Sequence, residues 1–433
     1  MNYYSLNKKS KNVSFKEALI RGLAPDKGLY FPEKIMRLPE SFINNLKDFS
    51  NEEIAYECIK QFVGEDIPES DLRKIISDVL SFDFPLVKLN SQISFLELFH
   101  GPTMAFKDVG ARFMSRCLAY FLSNQEENKP VTVLVATSGD TGGAVASGFY
   151  KVKGIKVVIL YPKGKVSNVQ EKQLTTLGEN ITALEVDGTF DDCQAMVKTA
   201  FLDNDLLNKI RLTSANSINV ARWLPQMFYF FFSYRDLKLE QGDKIAFSVP
   251  SGNFGNICAG MMAKEMGLPI DKFIASNNIN DVVNRYLKTK IYDSKPSVQT
   301  ISNAMDVGDP SNFIRISNIY KNDFNLIKKN LDTYSFTDEE TVKAIKELIN
   351  EFSYIPDPHG AVGYLGAKDF IKSHLNYKCI ILETAHPAKF SEVINLYTNN
   401  LEMPTQITSV MHKKKESVSV DSYLAFKNYL LNR

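Results

Sequence analysis

The chain has 433 residues, 44% of them apolar and 23% charged, and a formal net charge of +1 at pH 7. That length predicts two or three domains, and the near-neutral balance argues against the broad basic field that nucleic acid or an anionic membrane would need. Five scattered cysteines (Cys58, Cys117, Cys193, Cys258, Cys379) form no CxxC pair; they read as reduced thiols and indicate no metal site.

The opening MNYYSLNKKSKN has no apolar stretch of the signal-peptide kind. The aromatic-rich run Met227 to Phe232 is far short of the roughly 20 residues a membrane helix needs. A cytoplasmic protein is expected. Asn51 to Val63 and Glu69 to Leu80 have the spacing of amphipathic helices, inside a first segment broken by Pro and Gly. Residues 1–92 are therefore expected to form a small, mostly helical N-terminal domain.

From residue 93 the texture becomes strand, loop, helix, strand. Val131 to Thr137 reads as a buried strand, Thr141 to Lys153 as a helix stopped by Gly154, and Ile155 to Tyr161 as the next strand. Ile181 to Val186 and Phe190 to Phe201 repeat the scheme; Lys244 to Val249 and Lys378 to Glu383 are later strands. The alternation predicts an α/β protein with parallel sheets flanked by helices, whose ligands bind at the C-terminal strand ends. The expected divisions are 93–240 and 241–433.

Five segments could carry chemistry. In His100-Gly101-Pro102-Thr103-Met104-Ala105-Phe106-Lys107-Asp108, Lys107 stands at the start of a helix beside apolar positions. A lysine held there loses solvation, which frees its amine for covalent chemistry; its plain reading is a surface lysine with its ammonium in water. Thr137-Ser138-Gly139-Asp140-Thr141-Gly142-Gly143 and Ser251-Gly252-Asn253-Phe254-Gly255-Asn256 each join a strand to a helix, where backbone N–H groups and the helix dipole suit an anion. Each also reads as an ordinary capped turn. Neither is a GxxxxGK[ST] nor a GxGxxG, which disfavours nucleotide and dinucleotide binding. Thr384-Ala385-His386-Pro387-Ala388-Lys389-Phe390 places a hydroxyl at a strand end, or else caps a helix. Asn216, Asn219 and Arg222 offer amides and a guanidinium to an anionic substrate, or else start a polar helix.

A desolvated lysine with two phosphate-sized loops on parallel α/β units is the set of parts that pyridoxal-phosphate chemistry requires. The motifs HGPTMAFKD, TSGDTGG, PSGNFGN and TAHPAKF, with Gly22-Leu23-Ala24-Pro25-Asp26-Lys27-Gly28-Leu29-Tyr30, resemble in order and spacing the longer bacterial and fungal branch of the threonine synthases. The likeness spans nearly the whole chain. It implies fold type II of the pyridoxal-phosphate enzymes (tryptophan synthase β-like) with an added N-terminal domain, pyridoxal 5'-phosphate as cofactor, and O-phospho-L-homoserine as substrate.

Carried over by position, the resemblance makes Lys107 the Schiff-base lysine, in a smaller α/β domain over 93–240. It makes Ser251, Gly252, Asn253, Phe254, Gly255 and Asn256 the cofactor-phosphate cradle of the larger domain, and Thr384 the partner of the pyridine nitrogen. Thr137, Ser138, Asp140 and Thr141, with Asn216, Asn219 and Arg222, would meet the substrate. Shorter relatives carry Asn where this chain has Asp140, and a carboxylate there needs a proton or a different orientation. No metal, nucleic acid or membrane enters this reading, and the assembly is expected to be a monomer or homodimer. The rivals are a serine or threonine dehydratase, a phospho-lyase that makes no threonine, and a binding protein that keeps only the phosphate pocket.

Overall fold

The computed structural model describes residues 1–123 and 130–432, so parts of the expected 93–240 and 241–433 segments (124–129 and 433) lie outside the described residues. In chain order the strands are β1 (Asn2–Ser5), β2 (Val13–Ser14), β3 (Tyr30–Pro32), β4 (Leu86–Lys88), β5 (Ile93–Glu97), β6 (Val131–Ala136) and β7 (Ile155–Pro162). They continue with β8 (Ile181–Val186), β9 (Arg211–Ser214), β10 (Lys244–Pro250), β11 (Lys272–Asn277), β12 (Leu331–Ser335), β13 (Tyr377–Glu383) and β14 (Val418–Val420). The helices that matter for the site are α1 (Phe15–Arg21), α2 (Lys107–Ser123), α3 (Asp140–Phe149), α4 (Asn168–Thr175), α5 (Gly255–Glu265) and α6 (Pro358–Ile371).

The chain groups into two compact units built from non-consecutive stretches. One holds Met1, Pro32–Phe106 and Trp223–Glu402; the other holds Asn2–Phe31, Lys107–Arg222 and Met403–Arg433.

The first unit is organised by a six-stranded sheet in the order β12–β11–β10–β13–β5–β4. Its pairs are parallel except β4 against β5. Its central strands are apolar almost throughout (Ile245, Phe247 and Val249 on β10; Ile380, Ile381 and Leu382 on β13), as burial on both faces demands. Helix α6 lies directly on this sheet, and a Cβ at Gly363 would stand 2.7 Å from Ile381, a closeness only glycine permits. Two further helices of this unit, Asn51–Val63 and Glu69–Val79, occur where the periodicity predicts them; a Ser50–Glu53 capping box starts the first.

The second unit is organised by a wholly parallel sheet in the order β14–β8–β7–β6–β9. Leu134, Val158 and Leu184 from its strands pack with Cys193, Val197 and Phe426. The first thirty residues belong here because Phe15 on α1 meets Phe113 and Phe121 of α2, with ring centroids 6.5 and 6.3 Å apart. Beside its helices the N-terminal region carries a small sheet, β2–β1–β3. Its strands are two to four residues long, too short to show a period of two in the sequence.

Helix α3 ends at Phe149, before the Lys153 expected from the pattern. Asn180 accounts for this: its Nδ2 donates to the Phe149 carbonyl (2.9 Å) and its Oδ1 accepts from the Lys151 N–H (2.8 Å), replacing the next helical turn. All five cysteines are buried and unpaired, and burial pushes their thiols up. Among the described residues no helix is long and apolar enough to cross a membrane, and no group of His, Cys, Asp and Glu is placed to hold a metal ion.

Candidate active site

Lys107 is half-buried and is the first residue of α2, while Phe106 is the last residue of its stretch in the first unit. The backbone ahead of Lys107 is held from several directions. Ala105 and Ala385 form an isolated antiparallel bridge; the Phe106 N–H donates to the Thr384 carbonyl (2.9 Å), and the His386 N–H donates to the Met104 carbonyl (3.1 Å). Met104 takes a left-handed conformation, φ 60°, uncommon for a side chain of that size; its N–H donates to the Gly101 carbonyl and its carbonyl accepts from the His386 N–H, which hold it there. The Lys389 ammonium, 0% exposed, donates to the Thr103 carbonyl at 2.9 Å, and the Tyr229 hydroxyl donates to the Phe106 carbonyl. Two motifs far apart in the sequence, HGPTMAFKD and TAHPAKF, are thus one hydrogen-bonded structure.

Within the second unit Arg222 secures the next carbonyl along the chain, that of Lys107. Its guanidinium, 1% exposed, donates from Nε to the Ala215 carbonyl (2.7 Å) and from Nη1 to the Lys107 carbonyl (2.9 Å). A Cβ at Gly110 would lie 2.5 Å from the Arg222 carbonyl oxygen, so α2 can approach only with glycine there. Asn216 spends both ends of its amide on Ala136, accepting its N–H (3.2 Å) and donating to its carbonyl (2.7 Å). Asn219 is fully buried and donates to the Leu19 and Ser214 carbonyls (2.9 and 3.0 Å) while accepting from the Ala221 N–H. These three residues, expected at the substrate, are turned to the backbone: they fix the end of β6, the start of α2 and the docking of α1.

The loop after β6 is shaped by Thr137, whose hydroxyl accepts the Gly139 and Gly142 N–H groups (2.9 and 2.8 Å). Gly139, at φ 132°, is the N-cap of α3, and no side chain caps the helix. Ser138 and Thr141 are half-buried, whereas Asp140 is 3% exposed. The orientation of Asp140 is set by Gln170, which donates from Nε2 to its Oδ1 at 3.0 Å. Gln170 in turn completes the capping box of α4 with Ser167. That S-x-x-Q spacing is legible in the sequence, but its contact with Asp140 is not.

The loop after β10 turns its side chains inward. The Ser251 hydroxyl donates to the Val249 carbonyl (2.9 Å), and Asn256 donates to the Pro250 carbonyl (2.8 Å) while accepting from the Ile257 N–H. Asn253 accepts the Ser311 N–H at its side chain (2.9 Å) and the Asn312 N–H at its carbonyl (3.2 Å). A Cβ at Gly252 would lie 2.7 Å from the Ala304 carbonyl oxygen. Phe254 then adopts φ 60° and starts α5 with no side-chain cap. The first N–H groups of a helix have no partner within it, so this end offers backbone donors and a favourable dipole to a phosphate. The residues present fit a phosphorylated cofactor held by backbone rather than by side chains.

Thr384 is 6% exposed at the end of β13. Two residues on, His386 caps the following turn by accepting the Ala388 N–H at Nδ1 (3.1 Å). Burial first, and then the neighbouring His100, lower its pKa to about 4, so it is neutral at pH 7.

This fold and these strand-end loops define a pyridoxal-phosphate-dependent enzyme, and the family model of that description matches residues 84–383. Models described as the threonine synthase N terminus and the threonine synthase C-terminal region match residues 2–80 and 360–429. Threonine synthase of Haemophilus influenzae is 41% identical, with 100% of both chains covered, and that of Escherichia coli is 39% identical over 94% of each. The crystal structure of the Escherichia coli enzyme superposes with a TM-score of 0.93 at 38% identity over 100% of both chains. A pyridoxal-phosphate-bound threonine synthase from Brucella melitensis gives 0.90 at 32% identity, over 100% of this chain and 99% of that one. The chain belongs to the threonine synthase family.

Two outcomes are expected. Arg222→Lys keeps the charge but loses the fork that reaches both carbonyls, and should lower the turnover of threonine formation roughly tenfold to a hundredfold; steady-state kinetics showing wild-type turnover would contradict this role. As pH falls from 6.5 toward 4, the unfolded chain protonates His386 while the folded chain does not, so stability declines across that window. His386→Asn should flatten the decline in thermal melts taken from pH 7 to pH 4, and an unchanged slope would rule this out.

Proposed function

We propose that this chain converts O-phospho-L-homoserine and water into L-threonine and phosphate, with Lys107 as its central catalytic group. Phosphate departs from Cγ and the hydroxyl of water is added at Cβ. Pyridoxal phosphate, when bound, supplies the electron sink that lets protons leave carbon. Lys107 would hold the cofactor through Nζ; the backbone of Gly252 to Asn256 would hold its phosphate, with Ser251 closing the turn. Thr384 would meet the ring nitrogen with a neutral hydroxyl rather than a carboxylate, which keeps the ring less charged.

The observation that carries this reading is the anchoring of the Phe106–Lys107 segment. The carbonyls of both residues are hydrogen-bonded, that of Phe106 by Tyr229 and that of Lys107 by Arg222. A base that moves several protons in turn at Cα and Cβ needs a fixed origin for a flexible side chain. The second anion, the phosphate of the substrate, would be received by the uncapped start of α3, with Ser138 and Thr141 at the loop and Asp140 directed by Gln170. Asn216, Asn219 and Arg222 would support these groups from behind.

A monomer or homodimer in the cytoplasm, acting on this small molecule without a nucleic acid or membrane partner, is part of the same reading; the net charge of +1 supports it. The three-part division 1–92, 93–240 and 241–433 is proposed as an organisation of sequence segments rather than of compact units. The separate match of residues 2–80 supports its first boundary.

Lys107→Ala is expected to lose both threonine formation and phosphate release by at least about a thousandfold, measured by amino-acid analysis and a phosphate assay on the same samples. Full phosphate release by the variant would refute the assignment.

A further inference from the structure

Outside the motifs above, the first unit buries an acidic and imidazole cluster at the C-terminal end of β13. Asp357 and Glu383 are 0% exposed and His359 is 2% exposed. Asp357 is the N-cap of α6, and its Oδ1 accepts the His359 N–H at 2.6 Å. A cap needs no more than that. Here the same carboxylate also meets His359 Nδ1 at 2.5 Å, and its Oδ2 accepts the N–H of Ala385, the residue after Thr384, at 3.1 Å.

The far side of the imidazole identifies its tautomer. His359 Nε2 lies 3.1 Å from the Ala304 N–H, which can only donate. Nε2 is therefore the bare nitrogen and Nδ1 carries the proton given to Asp357. Ala304 and Met305 are the backbone against which Gly252 packs, with a Cβ at Gly252 lying 2.7 and 2.8 Å from them. Glu383 completes the cluster: its Oε1 accepts the Asp357 N–H at 2.6 Å, and its Oε2 has no hydrogen-bond partner. Burial, and then the charge of Asp357, hold Glu383 well above the usual carboxylate range.

We propose that Asp357 is a positioning residue for the reaction, bracing Thr384 through the Ala385 N–H and bracing the cofactor-phosphate loop through His359 and Ala304. This rests on the assignment of Thr384 and the 251–256 loop to the cofactor. The two arms are separable. His359→Asn keeps a donor at the Nδ1 position but loses the acceptor for Ala304; His359→Gln keeps an acceptor at the Nε2 position. Asp357→Asn sets an amide donor against one of the N–H groups that the carboxylate accepts.

The test is titration of the cofactor-free protein, followed by absorbance, with pyridoxal 5'-phosphate and separately with pyridoxal. His359→Asn should weaken pyridoxal 5'-phosphate roughly tenfold, leave pyridoxal within about twofold, and be rescued by His359→Gln. Asp357→Asn should weaken both ligands and shift the absorbance of the bound ring; if that variant does not fold, the His359 pair decides the matter. Wild-type affinities for both ligands in Asp357→Asn and His359→Asn would overturn the proposal. So would an equal loss for both ligands in His359→Asn accompanied by a lowered melting temperature, the mark of a purely structural role. A wild-type protein that binds neither ligand would instead overturn the cofactor assignment.

Discussion

The constraint on which the rest depends is the bonding of residues 103–106 to residues 384–389. Three backbone groups of the segment ahead of Lys107 are satisfied by the chain that leaves β13: the Met104 carbonyl by the His386 N–H and the Phe106 N–H by the Thr384 carbonyl, which together make the Ala105–Ala385 bridge, and the Thr103 carbonyl by Lys389. A buried ammonium such as that of Lys389 is costly unless it is bonded, so it holds its carbonyl partner firmly. Within the first unit, the path of residues 103–106 and the location of the Thr384 hydroxyl are consequently not independent. One hydrogen-bonded seam sets both.

Much of this was legible in the sequence. The helices at Asn51–Val63 and Glu69–Val79 and strands β6, β7, β8, β10 and β13 fall where apolar runs and breaks place them, because each buries a continuous face and ends at Gly, Pro or a cap. The strand-end loops were legible for the same reason. What escaped were contacts whose partners are distant: Tyr229 on Phe106, Gln170 on Asp140 and the early end of α3 at Asn180. No local pattern encodes them. Residue types alone do not say which partner a donor takes. Asn216, Asn219 and Arg222 have the donors an anionic substrate needs, yet burial at a loop crossing gives those donors to carbonyls that would otherwise be unsatisfied. Ser251 and Asn256 follow the same rule within the loop after β10.

The loops after β6 and β10 share one design. In each, side chains are consumed in shaping the turn, and a residue with positive φ (Gly139 or Phe254) starts a helix that no side chain caps. In the proposed reading, affinity for phosphate would come from backbone donors and the helix dipole, which keep their charge state at any pH and need no reorientation on binding. The titratable groups nearby are shifted by burial: His386 is neutral at pH 7, and Glu383 is held well above the usual carboxylate range by burial and then by the charge of Asp357.

The most direct test of the whole account is the fate of oxygen when O-phospho-L-homoserine is turned over in water enriched in oxygen-18. The account predicts one labelled oxygen in the hydroxyl of threonine and none in the released phosphate, because the bond broken is Cγ–O and water is added at Cβ. Label in the phosphate, or a keto acid in place of threonine, would contradict it.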